Sequence, residues 1–168
     1  YFSMSNSWMD RPEVKKDQLA RYFILPERVV AYDPGGGQID NLESLLVTNN
    51  DDCLISCNSG DSPWFVIDFG QELNGGIRID LADPEPADPV RVRIRFGESV
   101  SEVMSLPDKD HVIHDVTLDL PVMGSHEFGK TGFRFVRLDF INLPDKLHVN
   151  QLMAVALERP LEYKGFFE

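Results

Sequence analysis

A strictly alternating segment, Val90-Arg91-Val92-Arg93-Ile94-Arg95-Phe96, constrains the fold of this chain more than any other feature. Successive side chains of an extended strand point to opposite faces, so its apolar residues share one face and its arginines share the other. The run from Ile77 to Leu81 alternates in the same way. Such strands predict a sheet with one face on a core and the other in water.

Similar apolar or alternating runs recur along the chain, separated by Gly, Pro, Asn and Asp clusters. We predict nine strands: Arg28 to Tyr32, Ser44 to Thr48, Cys53 to Cys57, Trp64 to Phe69, Gly76 to Leu81, Val90 to Phe96, Val112 to Leu120, Phe133 to Ile141 and Leu147 to Leu157. This pattern is typical of an all-β sandwich of two antiparallel sheets. The length of 168 residues suits one domain, with a lead-in at 1–27, the sandwich at 28–158 and a linker at 159–168.

At most one short helix is predicted, close to the N-terminus. The segment Asp10-Arg11-Pro12-Glu13 combines a capping Asp, an early Pro and a Glu three residues after the cap. Apolar residues then follow at near-helical spacing as far as Phe23.

The run from Phe133 to Phe140 breaks the period of two. Strict alternation would place the charged residues Arg137 and Asp139 on the face of Phe133, so we predict a bulge near Val136. The residues that we expect to share one core are Val92, Ile94, Phe96, Ile79, Leu81, Ile67, Phe69, Phe135 and Leu138.

The charge balance argues against two classes of partner. With 28 Asp and Glu against 16 Lys and Arg, the net charge of −12 repels phosphate backbones and anionic lipid headgroups. No apolar run approaches the ~20 residues that span a bilayer. We therefore predict a soluble protein with neither nucleic-acid nor membrane partners.

The outward arginines Arg91, Arg93 and Arg95 are expected to pair with acidic neighbours such as Asp80. A binding surface for an acidic sugar or an acidic neighbouring domain is the alternative. The two cysteines, Cys53 and Cys57, would lie ~13 Å apart in a strand, too far for the ~5.5 Å Cα separation of a disulfide. We predict both to be small buried hydrophobic residues.

Two groups of polar residues are candidates for chemistry. Glu98 and Glu102 supply two carboxylates, but neighbours on one loop rarely straddle a sugar ring as glycoside hydrolysis requires. The segment Asp110-His111-Val112-Ile113-His114-Asp115 contains four potential metal ligands, yet His111 and His114 would point to opposite faces of a strand. We therefore predict neither a catalytic residue nor a metal ligand in this chain.

The same polar residues are predicted to gather at one end of the sandwich. Glu98 emerges where a strand leaves the sheet, and the loop after Glu102 can return Asp110 and His111 to that end. Loop ends of sandwiches are where binding residues collect, so a binding or interdomain surface is one interpretation. Hydrogen bonding to turn backbone is the other.

Four segments, in order, resemble the β-sandwich that precedes the catalytic domain of bacterial α-L-rhamnosidases. Trp64 to Gly76 is similar to its strand-turn-strand motif, and Val92 to Glu102 to its strand and Gly-Glu-Ser-x-x-Glu loop. Asp110 to Asp115 resembles its Asp-His-x-x-x-Asp element, and Thr131 to Arg137 its Gly-Phe-Arg-Phe-Val-Arg strand. The tail from Arg159 to Glu168, with its Tyr-x-Gly-x-Phe run, resembles the junction to a helical catalytic domain and predicts a domain cut from a longer protein.

This resemblance implies a galactose-binding-like or jelly-roll sandwich fused to an (α/α)6 barrel that hydrolyses terminal α-L-rhamnosides by inversion. The acidic catalytic residues would lie in that barrel, beyond Glu168. No cofactor is implied, although related sandwiches sometimes hold a structural calcium ion. A periplasmic or secreted parent protein is also implied.

Two functions stay open. The first is a non-catalytic accessory domain that packs on the catalytic barrel of the same chain. The second is an autonomous carbohydrate-binding module for rhamnose-containing glycans, with Trp64 or Tyr32 as a stacking platform and Asp68 or Arg95 binding hydroxyls. Because Trp64 begins an apolar strand, a core position is favoured for it. The candidate binding residues are Glu98, Glu102, Asp110, His111, Trp64 and Arg95.

Overall fold

The computed structural model describes residues 19–58, 60–83, 87–105, 114–143 and 145–159. Within these residues the chain forms nine strands: β1 Ala20–Ile24, β2 Arg28–Asp33, β3 Gly37–Asp40, β4 Cys53–Cys57, β5 Trp64–Ala82, β6 Val90–Gly97, β7 His114–Leu120, β8 Met123–Asn142 and β9 Leu147–Glu158. A 3-10 helix at Leu42–Leu46 and a single-turn helix, α1, at Val100–Met104 complete the described part. It contains no helix with the length and apolar character to cross a membrane.

Two long strands, β5 and β8, run through both layers of the sandwich. Residues Trp64 to Asp68 of β5 pair with β2 on one side and with the end of β8 on the other. The C-terminal part of β5, from Gly75 onward, pairs with β9 on one side and with the start of β8 on the other. The described strands form one sheet in the order β3-β4-β9-β5-β8-β6-β7, with β1 on β9 and β2 on β5, and their pairings are antiparallel. The all-β sandwich is confirmed, but the two predicted sheets are continuous because β5 and β8 are longer than the predicted runs.

Glycines allow β5 to pass from one layer to the other. Its register against β8 shifts between Asp68 and Leu73 and again after Gly75. Gly70 has a φ of 77°, and a Cβ on Gly75 would lie 1.9 Å from the carbonyl oxygen of Val155, so neither position accepts a side chain. These interruptions explain why the sequence divided β5 into two strands.

The layers enclose one main core. The Phe133 ring packs edge-on against Phe69 and Phe96, with centroid distances of 5.8 and 5.1 Å. All of the predicted core residues except Phe135 belong to this core. Cys53 is fully buried there, and burial raises the pKa of its thiol to about 12, whereas Cys57, near the edge of the layer, is half-buried. Neither cysteine forms a disulfide.

The predicted N-terminal helix does not extend over residues 20–23, because these residues form β1. This strand pairs with Ala154 to Glu158 of β9, so the sheet begins within the predicted lead-in. Hydrogen bonds between β1 and the backbone groups at the edge of β9 favour a strand here. The weak helical spacing of these residues is not enough to favour a helix instead. Residues 1–18, which hold the predicted helix start, lie outside the described residues.

The strand predicted at Ser44 to Thr48 is also wrong, because the chain forms the 3-10 helix there. This helix follows Asn41, whose φ of 58° is left-handed. Leu42 and Leu45 are three residues apart, a spacing that a 3-10 helix places on one side, and both are buried in the main core.

The break in the pattern of β8 lies between Phe133 and Phe135, not near Val136. Phe133 and Val136 both face the main core, and the register against β5 shifts between Phe133 and Phe135. Alternation then places Arg137 and Asp139 with Phe135 on the outer face of the layer. The bulge near Val136 was predicted in order to place every apolar residue of this run in a single core. The structure instead buries Phe135 in a second cluster on the outer face, together with Val66 and Val103.

We expect Val92→Asp to lower the free energy of unfolding by about 3 kcal/mol or more, because it buries an unpaired carboxylate in the main core. Denaturant titration measures this change. The matched control is Val47→Asp, at a side chain that is 52% exposed, which should change stability by only about 0.5 kcal/mol. Equal stability of Val92→Asp and the wild type would contradict the assigned faces.

Candidate functional site

A cleft opens at the edge of the sandwich between β7 and the bend of β8. One compartment has a volume of about 220 Å³ and a polar lining that includes Glu98, Glu102 and Gly132. The adjoining compartment has a volume of about 330 Å³ and a mainly apolar lining that includes Val116, Leu118 and Phe128, although Asp115 also contributes to it. Both compartments are lined by Phe96, His114 and Thr131. We refer to the two together as the edge cleft.

Glycines allow the walls of the edge cleft to pack closely. A Cβ on Gly97 would lie 2.9 Å from Cγ1 of Val103, and a Cβ on Gly129 would lie 2.6 Å from the Phe96 ring. Gly129 also has a φ of 94°, which other residues rarely adopt. Side chains at these positions would displace helix α1 or the Phe96 ring, which border the cleft.

Helix α1 positions the two predicted glutamates. The backbone N–H of Glu102 donates to Ser99 Oγ at 3.3 Å, and that of Glu98 donates to Glu102 Oε2 at 2.8 Å. Glu102 thus supports the turn, whereas the exposed Glu98 carboxylate lies near Gly132. The spacing Ser99-x-x-Glu102 is that of a capping box and could have predicted α1, although Glu102 accepts here from the residue before the cap, Glu98, and not from Ser99 itself.

The structure adds His114 to this group. His114 is the first residue of β7 and pairs with Phe96, which brings its side chain to both compartments. In the sequence, His114 was considered only as a possible metal ligand, and that role was rejected. Its position opposite Phe96 could not be predicted, because it depends on the register between β6 and β7. Asp110 and His111 lie outside the described residues, so their predicted place at this end stays a prediction.

Trp64 does not line the edge cleft and does not lie in the main core, which was its favoured position. It is half-buried on the outer face, beside the second cluster, with the guanidinium of Arg137 4.0 Å from its ring centroid. Arg137 also donates to Asp139 at 2.6 Å. The ring face is therefore occupied by a cation. Tyr32, the other predicted stacking residue, is 57% exposed.

Arg95 is buried, although its alternating strand predicted a solvated side chain. Only 5% of its side chain is exposed, and it donates to Asp139 Oδ2 at 2.9 Å and to the carbonyl oxygen of Ser105 at 3.3 Å. Residues on the outer face cover it because α1 folds back over this layer. Arg95 therefore has a structural role, holding Asp139 and the end of α1 together on the outer face.

The other two outward arginines pair across to β7. Arg91 forms a bidentate ion pair with Asp119, at 2.8 and 2.9 Å, and Arg93 pairs in the same way with Asp115. Pairing with acidic neighbours is thus confirmed, but Asp80 is not the partner. The reason is the strand order, since β6 lies beside β7 and not beside β5.

Asp68 is a buried carboxylate that two arginines hold. Arg134 donates to its two oxygens at 2.8 and 3.0 Å, Arg28 donates to Oδ2 at 2.9 Å, and the N–H of Gly70 donates to Oδ1 at 2.7 Å. These bonds, that of Arg134 foremost, lower the pKa of Asp68 to about 2 although burial opposes the shift. With these partners, Asp68 is not available to bind sugar hydroxyls.

No group of three or more His, Cys, Asp or Glu side chains in the described part of the chain could hold a metal ion. Calcium binds about six to eight oxygen ligands. These ligands include backbone carbonyls and water as well as carboxylates, so the structural calcium ion that the resemblance left open stays a prediction.

Comparison with protein-family models finds no match, and comparison with curated proteins finds none. Solved structures do match. A rhamnosidase from Klebsiella oxytoca with rhamnose bound aligns with a TM-score of 0.60 and 17% identity, over 83% of this chain and 29% of that chain. The GH78 family rhamnosidase of Bacillus sp. GL1 aligns with a TM-score of 0.56 and 16% identity, over 74% of this chain and 13% of that chain.

A carbohydrate-binding module also shares the fold. The CBM32 of AlyQ, in complex with 4,5-unsaturated mannuronic acid, aligns with a TM-score of 0.51 and 13% identity, over 79% of this chain and 97% of that chain. At these identities the likeness shows the fold alone, a galactose-binding-like β-sandwich. The chain spans 29% and 13% of the lengths of the two rhamnosidase chains.

Asp68 should make stability depend on pH. Its folded pKa of about 2 lies below the pKa of 3.8 of an unperturbed Asp, so Asp68 stabilises the fold above pH ~4. This contribution disappears as pH falls from about 5 to about 2. The shift corresponds to roughly 2 kcal/mol. In urea titrations at pH 7 and pH 3, Asp68→Asn should narrow the difference in unfolding free energy between the two pH values.

The control for this measurement is Asp119→Asn, which removes a half-exposed partner of Arg91. Exposed ion pairs contribute little, so this variant should keep the pH dependence of the wild type. An unchanged pH dependence in Asp68→Asn would contradict the proposed role of Asp68.

Proposed function

We propose that this chain is a non-catalytic accessory β-sandwich of a larger glycoside hydrolase related to the α-L-rhamnosidases. The observation that supports this proposal is the likeness of 83% of the chain to 29% of a longer rhamnosidase chain. A chain that resembles one segment of an enzyme fits a place beside a catalytic domain. Because one fold serves many functions, the proposal also depends on the chemistry of the described residues.

The described acidic residues fit a non-catalytic role. Glycosidases hold two carboxylates ~5 to 9 Å apart, on either side of the scissile bond. Glu98 and Glu102 lie instead on one turn, and Glu102 accepts the backbone N–H of Glu98. The general acid and base would belong to an (α/α)6 barrel of the same parent chain, on which the sandwich packs. The parent protein would be periplasmic or secreted.

A carbohydrate-binding module is the second candidate, and the edge cleft favours it. An apolar wall with a few convergent polar groups is the usual composition of a small-ligand site. The edge cleft combines such a wall with Glu98, His114 and Thr131. The two functions are compatible, because an accessory domain can carry a sugar site.

We expect purified residues 1–168 to show no turnover of an aryl α-L-rhamnoside, because the carboxylate pair lacks the geometry of a glycosidase. A chromogenic assay at enzyme concentrations far above catalytic amounts measures this. Turnover that Glu98→Gln abolishes would contradict the non-catalytic assignment.

Removal of the sandwich from the parent enzyme should show which of the two proposed functions is correct. If the sandwich is an accessory domain that packs on the barrel, its removal should lower the melting temperature and the turnover of a small aryl rhamnoside together. If it acts only as a binding module, turnover of the small substrate should stay unchanged and only turnover of polymeric glycan should fall. The second outcome would contradict the accessory proposal.

A further inference from the structure

We infer that the C-terminal segment, residues 160–168, folds back beside the end of β9 and places its aromatic side chains in a groove there. We refer to this groove as the terminal groove. Its lining includes residues of β1, β5, β8 and β9, among them Arg21, Gly76, Glu127, Gly129, Val155 and Leu157. The inference is independent of both candidate functions.

The terminal groove lies on the side of β9 that faces away from the main core. Val155 lines the groove, whereas its neighbours Ala154 and Ala156 belong to the main core. Because side chains alternate along a strand, Leu157 follows on the same side as Val155. The volume of about 270 Å³ is close to the ~300 Å³ of the smallest ligand pockets, which gives room for aromatic rings.

An exposed aromatic ring extends this apolar surface. Phe23 of β1 lies opposite Val155 in the register between β1 and β9, and it is 49% exposed. The guanidinium groups of Arg21 and Arg78 lie 5.6 and 5.7 Å from its ring centroid. The side chain of Arg21 is itself 50% exposed, so its guanidinium is accessible to a second aromatic ring.

The C-terminal segment begins beside this surface. β9 ends at Glu158, and Leu157, which lines the groove, is only three residues before Pro160. Proline has no backbone N–H to donate to a neighbouring strand, which favours a turn after β9. Tyr163 follows Leu157 by six residues, which span up to about 20 Å when extended. Val155 lies only about 7 Å back along the strand, so the segment is long enough to reach it.

The aromatic content of the segment suits the groove. Tyr163, Phe166 and Phe167 place three rings within five residues, and Gly165 permits a tight turn between them. Each ring that packs against Val155 or Leu157 removes a large apolar area from water, which is favourable.

The lead-in at 1–18 is the competing occupant, because β1 also begins beside the groove. In sequence, the ring of the lead-in that is nearest to the groove is Trp8, which precedes Arg21 by thirteen residues, against six between Leu157 and Tyr163. A shorter connection costs less entropy on closure, which favours the C-terminal segment.

The test compares NMR spectra of residues 1–168 and of a truncated protein that ends at Arg159, both with ¹³C-labelled Val and Leu methyl groups. An aromatic ring shifts the resonances of methyl groups that pack against it. We expect the resonances of the groove methyl groups, those of Val155 and Leu157, to move on truncation. The methyl groups of Val116 and Leu118 in the edge cleft should stay unchanged. Removal of residues 1–18 is the matched control and should leave the groove methyl groups in place.

Variants of the segment test whether its rings make the contact. Tyr163→Ala, Phe166→Ala and Phe167→Ala, combined in one full-length protein, should move the groove methyl resonances to their positions in the truncated protein. The control combines Glu162→Ala and Lys164→Ala, which removes charges and keeps the rings. Its groove methyl resonances should stay where they are in the wild type.

A variant of the groove tests the other side of the contact. In a protein with Leu157→Ser, which removes part of the apolar wall, truncation after Arg159 should no longer move the Val155 resonances. The control is Ile141→Ser, at a side chain that is 47% exposed and does not line the groove. In that protein, truncation should still move them. Melting temperatures verify that each variant folds.

Four results would overturn the inference. Groove methyl resonances that are identical with and without residues 160–168 would show that the segment does not occupy the groove. Movement only at Val116 and Leu118 would place the segment in the edge cleft instead. Movement only on removal of residues 1–18 would identify the lead-in as the occupant. Shifts that disappear on dilution would show that the segment binds the groove of a second copy.

Discussion

The pairing of β5 with β8 is the constraint on which the rest of the sandwich depends. Both strands pass through the two layers, and both shift register near Asp68, where Arg134 of β8 and Arg28 of β2 meet its carboxylate. A slip of one residue would exchange the core and outer faces of a strand. Because a different register would leave this buried carboxylate without its arginine partners, we attribute to this cluster the fixing of register across three neighbouring strands.

The edge cleft is a consequence of that arrangement. As β8 passes between layers through Gly129 and Gly132, it leaves β7 at the margin of the sheet, paired with β6. An unprotected edge strand invites pairing with other chains, and charged side chains reduce this risk. Asp115 and Asp119, each held by an arginine of β6, place such charges on β7. The inward face of β7 meanwhile contributes the wall of the cleft.

The fold does not decide between the two candidate functions. A galactose-binding-like sandwich occurs both as a segment of long rhamnosidase chains and as nearly the whole of a carbohydrate-binding module. Function must therefore be argued from particular groups. On the outer face, Trp64 and Arg95 are already engaged by neighbouring side chains, whereas at the edge cleft Glu98 and His114 face an open volume.

The sequence by itself determined the all-β class, most strand positions and most of the main core, because the period of two in runs such as Val90 to Phe96 is a local property of the backbone. It also placed Glu98 at a strand end. Tertiary structure alone decided that residues 20–24 complete the sheet, that Phe135 faces outward, and that Arg95 is buried. It also decided that His114 meets Glu98 in one cleft. These facts depend on register between strands distant in sequence, and local spacing carries no information about which strands become neighbours.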